Sequence, residues 1–206
     1  MDRRNFIKQT LSGLVAFGLG VFGINGCSPA QGALFTLEEG ETDPSDDHKD
    51  IDPCLDWTVK LGETGLTVPI LAMGTGTVGW GGTSRQTQLG MEKFVEIARN
   101  AYNRGVRFYD MAEAYGSHRF VAEAIKDLPR ENITLLTKIA STVGLSESET
   151  RRKIDAFCQE VRTDYFDIVL MHYITSGGWQ DSRKGAMEGL ARAKGEGIVK
   201  AVGISC

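Results

Sequence analysis

The chain has 206 residues, enough for one domain with a substantial hydrophobic core. Hydrophobic residues make up 41% of it and charged residues 24%, a composition that argues against disorder along the whole chain. The formal net charge of -4 argues against nucleic acid as a partner, since nucleic-acid-binding domains carry basic surfaces. We predict no metal site, because no two of the cysteines form a Cys-x-x-Cys pair; they are Cys27, Cys54, Cys158 and Cys206.

Residues 1–27 have the pattern of a signal peptide. Arg3 and Arg4 precede an apolar run from Leu11 to Ile24, which is short for a bilayer span. The arginine pair and the four residues after it resemble the twin-arginine motif, which is read by a receptor. That resemblance implies export of the folded protein. The alternative is an uncleaved N-terminal anchor helix.

The end of this segment, Ile24 to Cys27, is similar to a lipobox, in which the cysteine is acylated and becomes the new N-terminus. Asn25 departs from the small residue usual at its position. We expect a lipid tether through Cys27 that holds the protein on a membrane surface, periplasmic or facing outward, without spanning the bilayer. The alternative is ordinary cleavage near Ala30 or Ala33.

Residues 28–56 are predicted to form an acidic, disordered linker. From Glu38 to Asp56 there are nine acidic residues and one basic residue, Lys49. Such a stretch has too little apolar surface to offset the entropy lost on ordering. Clustered aspartates can bind calcium, but no twelve-residue calcium-loop pattern is present.

From residue 57 onward, strand-like and helix-like segments alternate. A predicted hairpin comes first, over residues 57–62 and 65–68. Five apolar strands follow, and their ends lie 37, 28, 34 and 33 residues apart, the size of one strand–helix unit. The predicted strands are 70–73, 106–110, 133–138, 168–172 and 199–205.

The segments between these strands carry helical periodicity. Residues 91–103 place apolar side chains three and four apart, and residues 146–162 open with Ser146 as the N-cap. A further helix is predicted over residues 186–193. Strands that alternate with helices indicate a parallel sheet, either open or closed as a barrel.

Two architectures compete for this pattern. Residues 74–79 fit the Gly-x-Gly-x-x-Gly string of an open dinucleotide-binding sheet. However, Trp80-Gly81-Gly82 follows in place of an amphipathic helix, so we interpret the segment as an exposed loop after a strand. A (β/α)8 TIM barrel is favoured, because polar residues lie at the carboxyl ends of successive strands, where barrel active sites are built.

Asp110, Lys138 and His172 each end a predicted strand, and Tyr115 follows Asp110 closely. Alone, an aspartate at a strand end is usually a helix cap, a lysine is usually solvated, and a histidine is usually a hydrogen-bonded core residue. At the carboxyl-terminal face of a barrel the same residues point into one shared cavity, which indicates a functional site.

Motifs in chain order then resemble the aldo/keto reductase family. The matching segments are 61–68, 108–116, 136–138, 170–172 and 202–205, so that the resemblance covers residues 57–206. It implies an oxidoreductase that reduces an aldehyde, ketone or sugar carbonyl with NADPH, although NADH is not excluded. It also places the family's catalytic tetrad on Asp110, Tyr115, Lys138 and His172.

Physical chemistry supports these roles. Hydride transfer to a carbonyl builds negative charge on oxygen, and Tyr115 is predicted to protonate it as the general acid. A cation beside the phenol is expected to lower its pKa from about 10. Lys138 provides that cation, and Asp110 holds the ammonium by a charge-assisted hydrogen bond. His172 is predicted to donate a hydrogen bond to the substrate oxygen.

Further residues are predicted to bind the cofactor and the substrate. The resemblance places the nicotinamide carboxamide at Ser205, where Cys206 stands in place of the usual asparagine. The predicted cofactor set is Gly74, Thr75, Asp110, Ser205 and Cys206. Trp80 and Tyr173 are predicted pocket walls beside Tyr115 and His172, and either aromatic could equally serve ordinary packing.

The pattern supplies five barrel strands, whereas a closed barrel has eight strands and about 250 residues. We therefore expect a barrel truncated after the fifth strand, and a 206-residue chain that binds NADPH poorly and is inactive alone. An alternative function is a non-catalytic barrel relative that senses nucleotides or binds a partner. The sequence predicts no oligomeric state.

Overall fold

The computed structural model describes residues 57–175 and 177–206. The predicted signal peptide over 1–27, its Cys27 and the predicted linker over 28–56 lie outside the described residues. The first described element is a two-stranded antiparallel hairpin of β1 (Thr58–Lys60) and β2 (Thr67–Pro69), with Val59 opposite Val68. The predicted hairpin is confirmed.

Five parallel strands form the main sheet, and their order in space is their order in the chain. They are β3 (Met73–Gly74), β4 (Phe108–Asp110), β5 (Thr134–Ile139), β6 (Phe166–Met171) and β7 (Val199–Ile204). Sequential parallel pairing without reversal is the strand order of a barrel wall.

Helices follow the strands. They are α1 (Met91–Asn103), α2 (His118–Ile125), α3 (Glu147–Val161), α4 (Trp179–Ser182) and α5 (Lys184–Gly195). Within the described residues, 3-10 turns lie at Thr87–Leu89, Glu113–Tyr115 and Arg130–Asn132. The turn at Glu113–Tyr115 matters most here, because it carries Tyr115 just beyond the end of β4.

Most predicted boundaries agree with the structure. The helix α1 has the predicted bounds, and α3 begins with a capping box between Ser146 and Glu149. The strand β3 shares only Met73 with the predicted strand 70–73, because Ile70 and Leu71 are 45% and 46% exposed and lie before the pairing with β4. The helix α2 was not predicted, because it has only eight residues and six of them are buried, which leaves little polar face to reveal a period.

Alternation along the strands sends side chains to two cores. Tyr109, Leu135 and Val169 face the helices and pack in one cluster with residues such as Phe94 and Leu190. On the other face of the sheet, a smaller cluster contains residues of β4 to β7 and two hairpin residues; its members are Leu61, Val68, Phe108, Leu136, Ile168 and Ala201.

Helices on one face of the sheet and a second apolar core on the other are the arrangement of a barrel wall, so the predicted TIM-barrel fold is confirmed. In residues 57–175 and 177–206, none of the helices has both the length and the apolar character needed to cross a membrane.

Candidate active site

The carboxyl ends of β4, β5 and β6 bring Asp110, Lys138 and His172 together. In the sheet, Asp110 is level with Leu136 of β5, and Lys138 stands two residues further along on the same side. The backbone N–H of His172 donates to the carbonyl of Ile139 at 3.0 Å, which fixes the end of β6 beside the end of β5.

Lys138 and Asp110 form an ion pair at the strand ends. The Nζ atom of Lys138 bonds to Oδ1 of Asp110, and it also donates to the carbonyl oxygen of Met111 at 3.2 Å. The Lys138 side chain is 9% exposed and that of Asp110 is 37% exposed. Burial lowers the pKa of Lys138, and the charge and hydrogen bond of Asp110 oppose that decrease.

Tyr115 and His172 contact each other beside the Lys138–Asp110 pair. The phenol oxygen of Tyr115 lies 3.3 Å from Nε2 of His172, and the two rings are edge to face at 5.5 Å with an interplanar angle of 84°. Burial lowers the pKa of His172, and so does the nearby charge of Lys138, while Asp110 acts in the opposite direction. His172 is therefore neutral at pH 7, so that one ring nitrogen donates and the other accepts.

The prediction that a neighbouring cation lowers the pKa of Tyr115 is wrong for this structure. Burial raises the pKa of Tyr115 to about 12, and the negative charge of Asp110 adds to the increase. The Lys138 ammonium lies 5.0 Å from the centre of the phenol ring, but its charge is paired with Asp110. The phenol is consequently protonated at neutral pH, as a general acid must be before it acts.

Gly74 and Thr75, the two residues predicted to bind the cofactor at the end of β3, differ in their exposure. Gly74 is exposed at the carboxyl end of β3, where it pairs with Asp110 at the end of β4. Thr75 is fully buried, and its hydroxyl donates to the backbone carbonyl of Asp110 and lies 2.8 Å from the hydroxyl of Ser117. The Thr75 side chain therefore stabilises the fold beside Asp110, and a cofactor contact by Thr75 stays a prediction.

The remaining predicted site residues follow the carboxyl ends of β3, β6 and β7. Ser205 follows β7, and its hydroxyl accepts the backbone N–H of Tyr173 at 3.0 Å. Cys206 is exposed. Trp80 and Tyr173 are 72% and 67% exposed, so neither serves ordinary core packing in the described part of the chain.

Two supporting residues were missed by the sequence reasoning. Glu113 accepts the backbone N–H of Ala140 at 3.0 Å through Oε2, and its Oε1 pairs with Lys153 of α3. His118 is buried and bonds to Glu160 and Thr137. An acidic residue between Asp110 and Tyr115 was the available signal for Glu113, whereas nothing in the sequence near His118 indicates its partners.

The fold and this arrangement define part of a (β/α)8 barrel with a tyrosine, lysine, aspartate and histidine site at its strand ends. The family model for the aldo/keto reductase family matches residues 71–206. The chain belongs to the aldo/keto reductase family.

Individual relatives agree with this assignment. An aldo-keto reductase of Mycobacterium marinum is 30% identical over 143 residues, which covers 68% of this chain and 45% of the relative. The NADH-specific methylglyoxal reductase of Escherichia coli is 26% identical over 165 residues, covering 70% of this chain and 50% of the relative.

A solved structure gives the same picture. The crystal structure of a thermostable aldo-keto reductase with the inhibitor epalrestat superimposes with a TM-score of 0.60 at 26% identity. The match covers 72% of this chain and 53% of the solved chain. The chain thus spans about half the length of the relatives that it matches.

Proposed function

We propose that the protein containing this chain is an aldo/keto reductase that reduces a small carbonyl compound to an alcohol. One observation carries the proposal: the phenol oxygen of Tyr115 lies 3.3 Å from Nε2 of His172, beside the buried Lys138–Asp110 pair. A module that only binds nucleotides or partners does not require the buried ammonium of Lys138 beside the phenol of Tyr115. The arrangement instead suits protonation of an oxygen that becomes negative during reaction.

Each residue has a distinct role in this proposal. His172 is neutral and donates a hydrogen bond to the carbonyl oxygen, which orients that oxygen toward Tyr115. Tyr115 transfers its phenolic proton to the oxygen as negative charge develops there. Lys138 stabilises the resulting phenolate electrostatically, and Asp110 keeps the ammonium in place. These groups position and polarise the substrate.

The cofactor in this proposal is NADPH, with NADH as the alternative suggested by the NADH-specific relative. A bound nicotinamide supplies the hydride. The residues present fit such a group, because the Ser205 hydroxyl accepts the N–H of Tyr173 and can still donate its own hydrogen to a carboxamide. Asp110 and the exposed Gly74 and Cys206 lie at the carboxyl ends of strands of the same sheet.

The proposed substrate is a small aldehyde, ketone or sugar. Trp80 and Tyr173 are exposed in the loops that follow β3 and β6, and loops at the carboxyl ends of barrel strands are where substrate pockets are built. Methylglyoxal is the first compound to test, because the relative from Escherichia coli is named as a methylglyoxal reductase.

Replacing Tyr115 tests this function. We expect a form extended to the length of its relatives to reduce methylglyoxal, and Tyr115→Phe to lower kcat by about 100-fold or more because the general acid is lost. Binding of NADPH, followed by its fluorescence, should persist. Tyr102→Phe removes the same atom from α1 and should leave turnover unchanged. Full turnover by Tyr115→Phe would contradict the proposal.

The 206-residue chain should be assayed beside the extended form. We expect it to bind NADPH weakly and to oxidise none with a carbonyl substrate, because five strands leave the barrel open. Measurable NADPH oxidation by the 206-residue chain would overturn this expectation.

We also propose that the protein is exported by the twin-arginine route and tethered through Cys27. The support is the sequence of residues 1–27 alone. Changing Arg3 and Arg4 to lysine should leave the protein in the cytoplasmic fraction, and Cys27→Ser should release it from membranes. Unchanged fractionation of both variants would refute the proposal.

A further inference from the structure

The loop that matches a dinucleotide-binding string packs against the ring of Tyr115. A Cβ atom added to Gly76 would lie within 2.5 Å of three atoms of the Tyr115 ring. One added to Gly79 would lie within 3.0 Å of two other ring atoms and 2.8 Å from the carbonyl oxygen of Gly76. Neither glycine has a positive φ, so what these positions require is space and not an unusual backbone conformation.

The two glycines lie against opposite edges of the phenol ring. A Cβ on Gly76 would meet Cε2, Cζ and Cδ2 of Tyr115, whereas one on Gly79 would meet Cδ1 and Cε1. Bare backbone of the loop thus packs along both edges of the ring, and we call Gly76 and Gly79 the glycine cradle. Close-packed atoms at both edges restrict how far the ring can move.

Hydrogen bonds hold the glycine cradle in shape. The N–H of Gly79 donates to the carbonyl of Gly76 at 2.8 Å, which closes a tight turn. The side-chain amide of Gln86 accepts from the N–H of Thr77 at 3.0 Å and donates to its hydroxyl at 2.6 Å. Further along, the N–H of Gly82 donates to the carbonyl of Ala114 at 2.9 Å, so the loop is fastened to the turn that carries Tyr115.

The same bonds argue against a phosphate-binding role for this loop. A phosphate loop presents free backbone N–H groups at the start of a helix. Here the N–H groups of Thr77 and Gly79 are already bonded within the loop, and α1 begins only at Met91. The glycines of the string therefore need another explanation, which their contact with the phenol provides.

We propose that Gly76 and Gly79 are positioning residues for the proton donor. Their missing side chains let the loop close on the Tyr115 ring and keep its hydroxyl beside His172. A side chain at either position displaces the ring toward solvent and away from the reacting oxygen. This proposal rests on the function proposed above, but its structural part can be measured without turnover.

The first test follows the ionisation of Tyr115 in the 206-residue chain. Tyrosine labelled with 13C at Cζ gives one NMR signal for each of the five tyrosines, and Tyr115→Phe assigns the signal of interest. In the native chain this phenol should titrate at about 12. Gly76→Ala should shift the titration toward about 10, the value of a hydrated phenol, because the displaced ring regains water.

Gly195→Ala is the matched control for this test. Gly195 lies at the end of α5, has no positive φ, and has open space where a Cβ would stand. It should leave the Tyr115 signal and its titration unchanged. An unchanged Tyr115 titration in both Gly76→Ala and Gly79→Ala would overturn the proposal.

A double variant covers the case in which Gly76→Ala fails to fold. In a Tyr115→Ala background the added methyl group has no ring to meet, so the double variant should fold and should melt at the temperature of Tyr115→Ala alone. If the double variant is as unstable as Gly76→Ala, the added methyl group clashes elsewhere and the proposal is wrong.

Kinetics of the extended form test the positioning role. Gly76→Ala should lower kcat by about 100-fold and leave KM for the carbonyl unchanged, because the proton donor moves by about 1 Å while the substrate pocket persists. An unchanged kcat would overturn the positioning role. A native extended form without turnover would instead count against the proposed function, while a displaced Tyr115 signal would still support the glycine cradle.

Discussion

At the residue scale, the site depends on one buried cation. Lys138 is 9% exposed, so its ammonium has lost most of its contact with water and depends on its protein partners. Asp110, which is 37% exposed, keeps more of its hydration. Removal of Asp110 therefore leaves a buried ammonium without a partner, whereas removal of Lys138 leaves a carboxylate that water can reach.

We expect Asp110→Asn to destabilise the chain more than Lys138→Met. The asparagine leaves a buried ammonium without a counter-charge, which should cost about 2 kcal/mol of unfolding free energy. The methionine leaves a carboxylate that water can reach and should cost less than about 1 kcal/mol. Urea denaturation at pH 7 measures both changes. Equal losses, or a greater loss in Lys138→Met, would show that burial of the ammonium does not control this pair.

At the element scale, the turn that carries Tyr115 is braced from outside the site. Glu113 opens that turn and connects it to the end of β5, through Ala140, and to α3, through Lys153. The same strand β5 carries Lys138. One side chain thus couples the position of the phenol to the strand that supplies the cation.

Glu113 should contribute through two separable bonds. Glu113→Ala removes both and should lower the free energy of unfolding by about 1–2 kcal/mol. Glu113→Gln keeps an acceptor for the N–H of Ala140 and should cost no more than about 0.5 kcal/mol, like Lys153→Met, because the ion pair is partly exposed. Urea midpoints of the three variants test this. A Glu113→Gln variant as unstable as Glu113→Ala would contradict the assignment of the backbone bond.

At the scale of the whole molecule, His118 joins three elements. From the start of α2 it lies 2.7 Å from Glu160 of α3 through Nδ1 and 2.7 Å from Thr137 of β5 through Nε2. Its ring also packs on Phe157 with a centroid distance of 4.8 Å. Because α2 directly follows the Tyr115 turn and Thr137 precedes Lys138, this contact ties the segments that carry Tyr115 and Lys138 to the helical layer.

The bond to His118 makes stability depend on the charge of Glu160. The hydrogen bond with His118 lowers the pKa of Glu160 below the ordinary value of 4.5. A lowered folded-state pKa adds stability that is present above pH 4.5 and is lost as the pH falls through the folded value. We expect Glu160→Gln to flatten the loss of stability with acid below pH 4.5, measured by thermal melts across this range.

The native chain, melted over the same pH range, provides the control for that prediction. If Glu160→Gln retained the native slope, the contact with His118 would not contribute to the acid sensitivity.

The sequence by itself determined five strands, the bounds of α1, the capped start of α3 and the grouping of Asp110, Lys138 and His172 at strand ends with Tyr115 close after Asp110. These follow from local information, because apolar alternation, helical periodicity and capping residues act over a few positions, and the family's motifs occur in order along the chain. Only the tertiary structure decided how each residue is used. It buried Thr75, raised the pKa of Tyr115, gave Glu113 and His118 their partners, and closed Gly76 and Gly79 on the phenol. Burial and contact depend on segments distant in the chain, and local patterns carry no information about them.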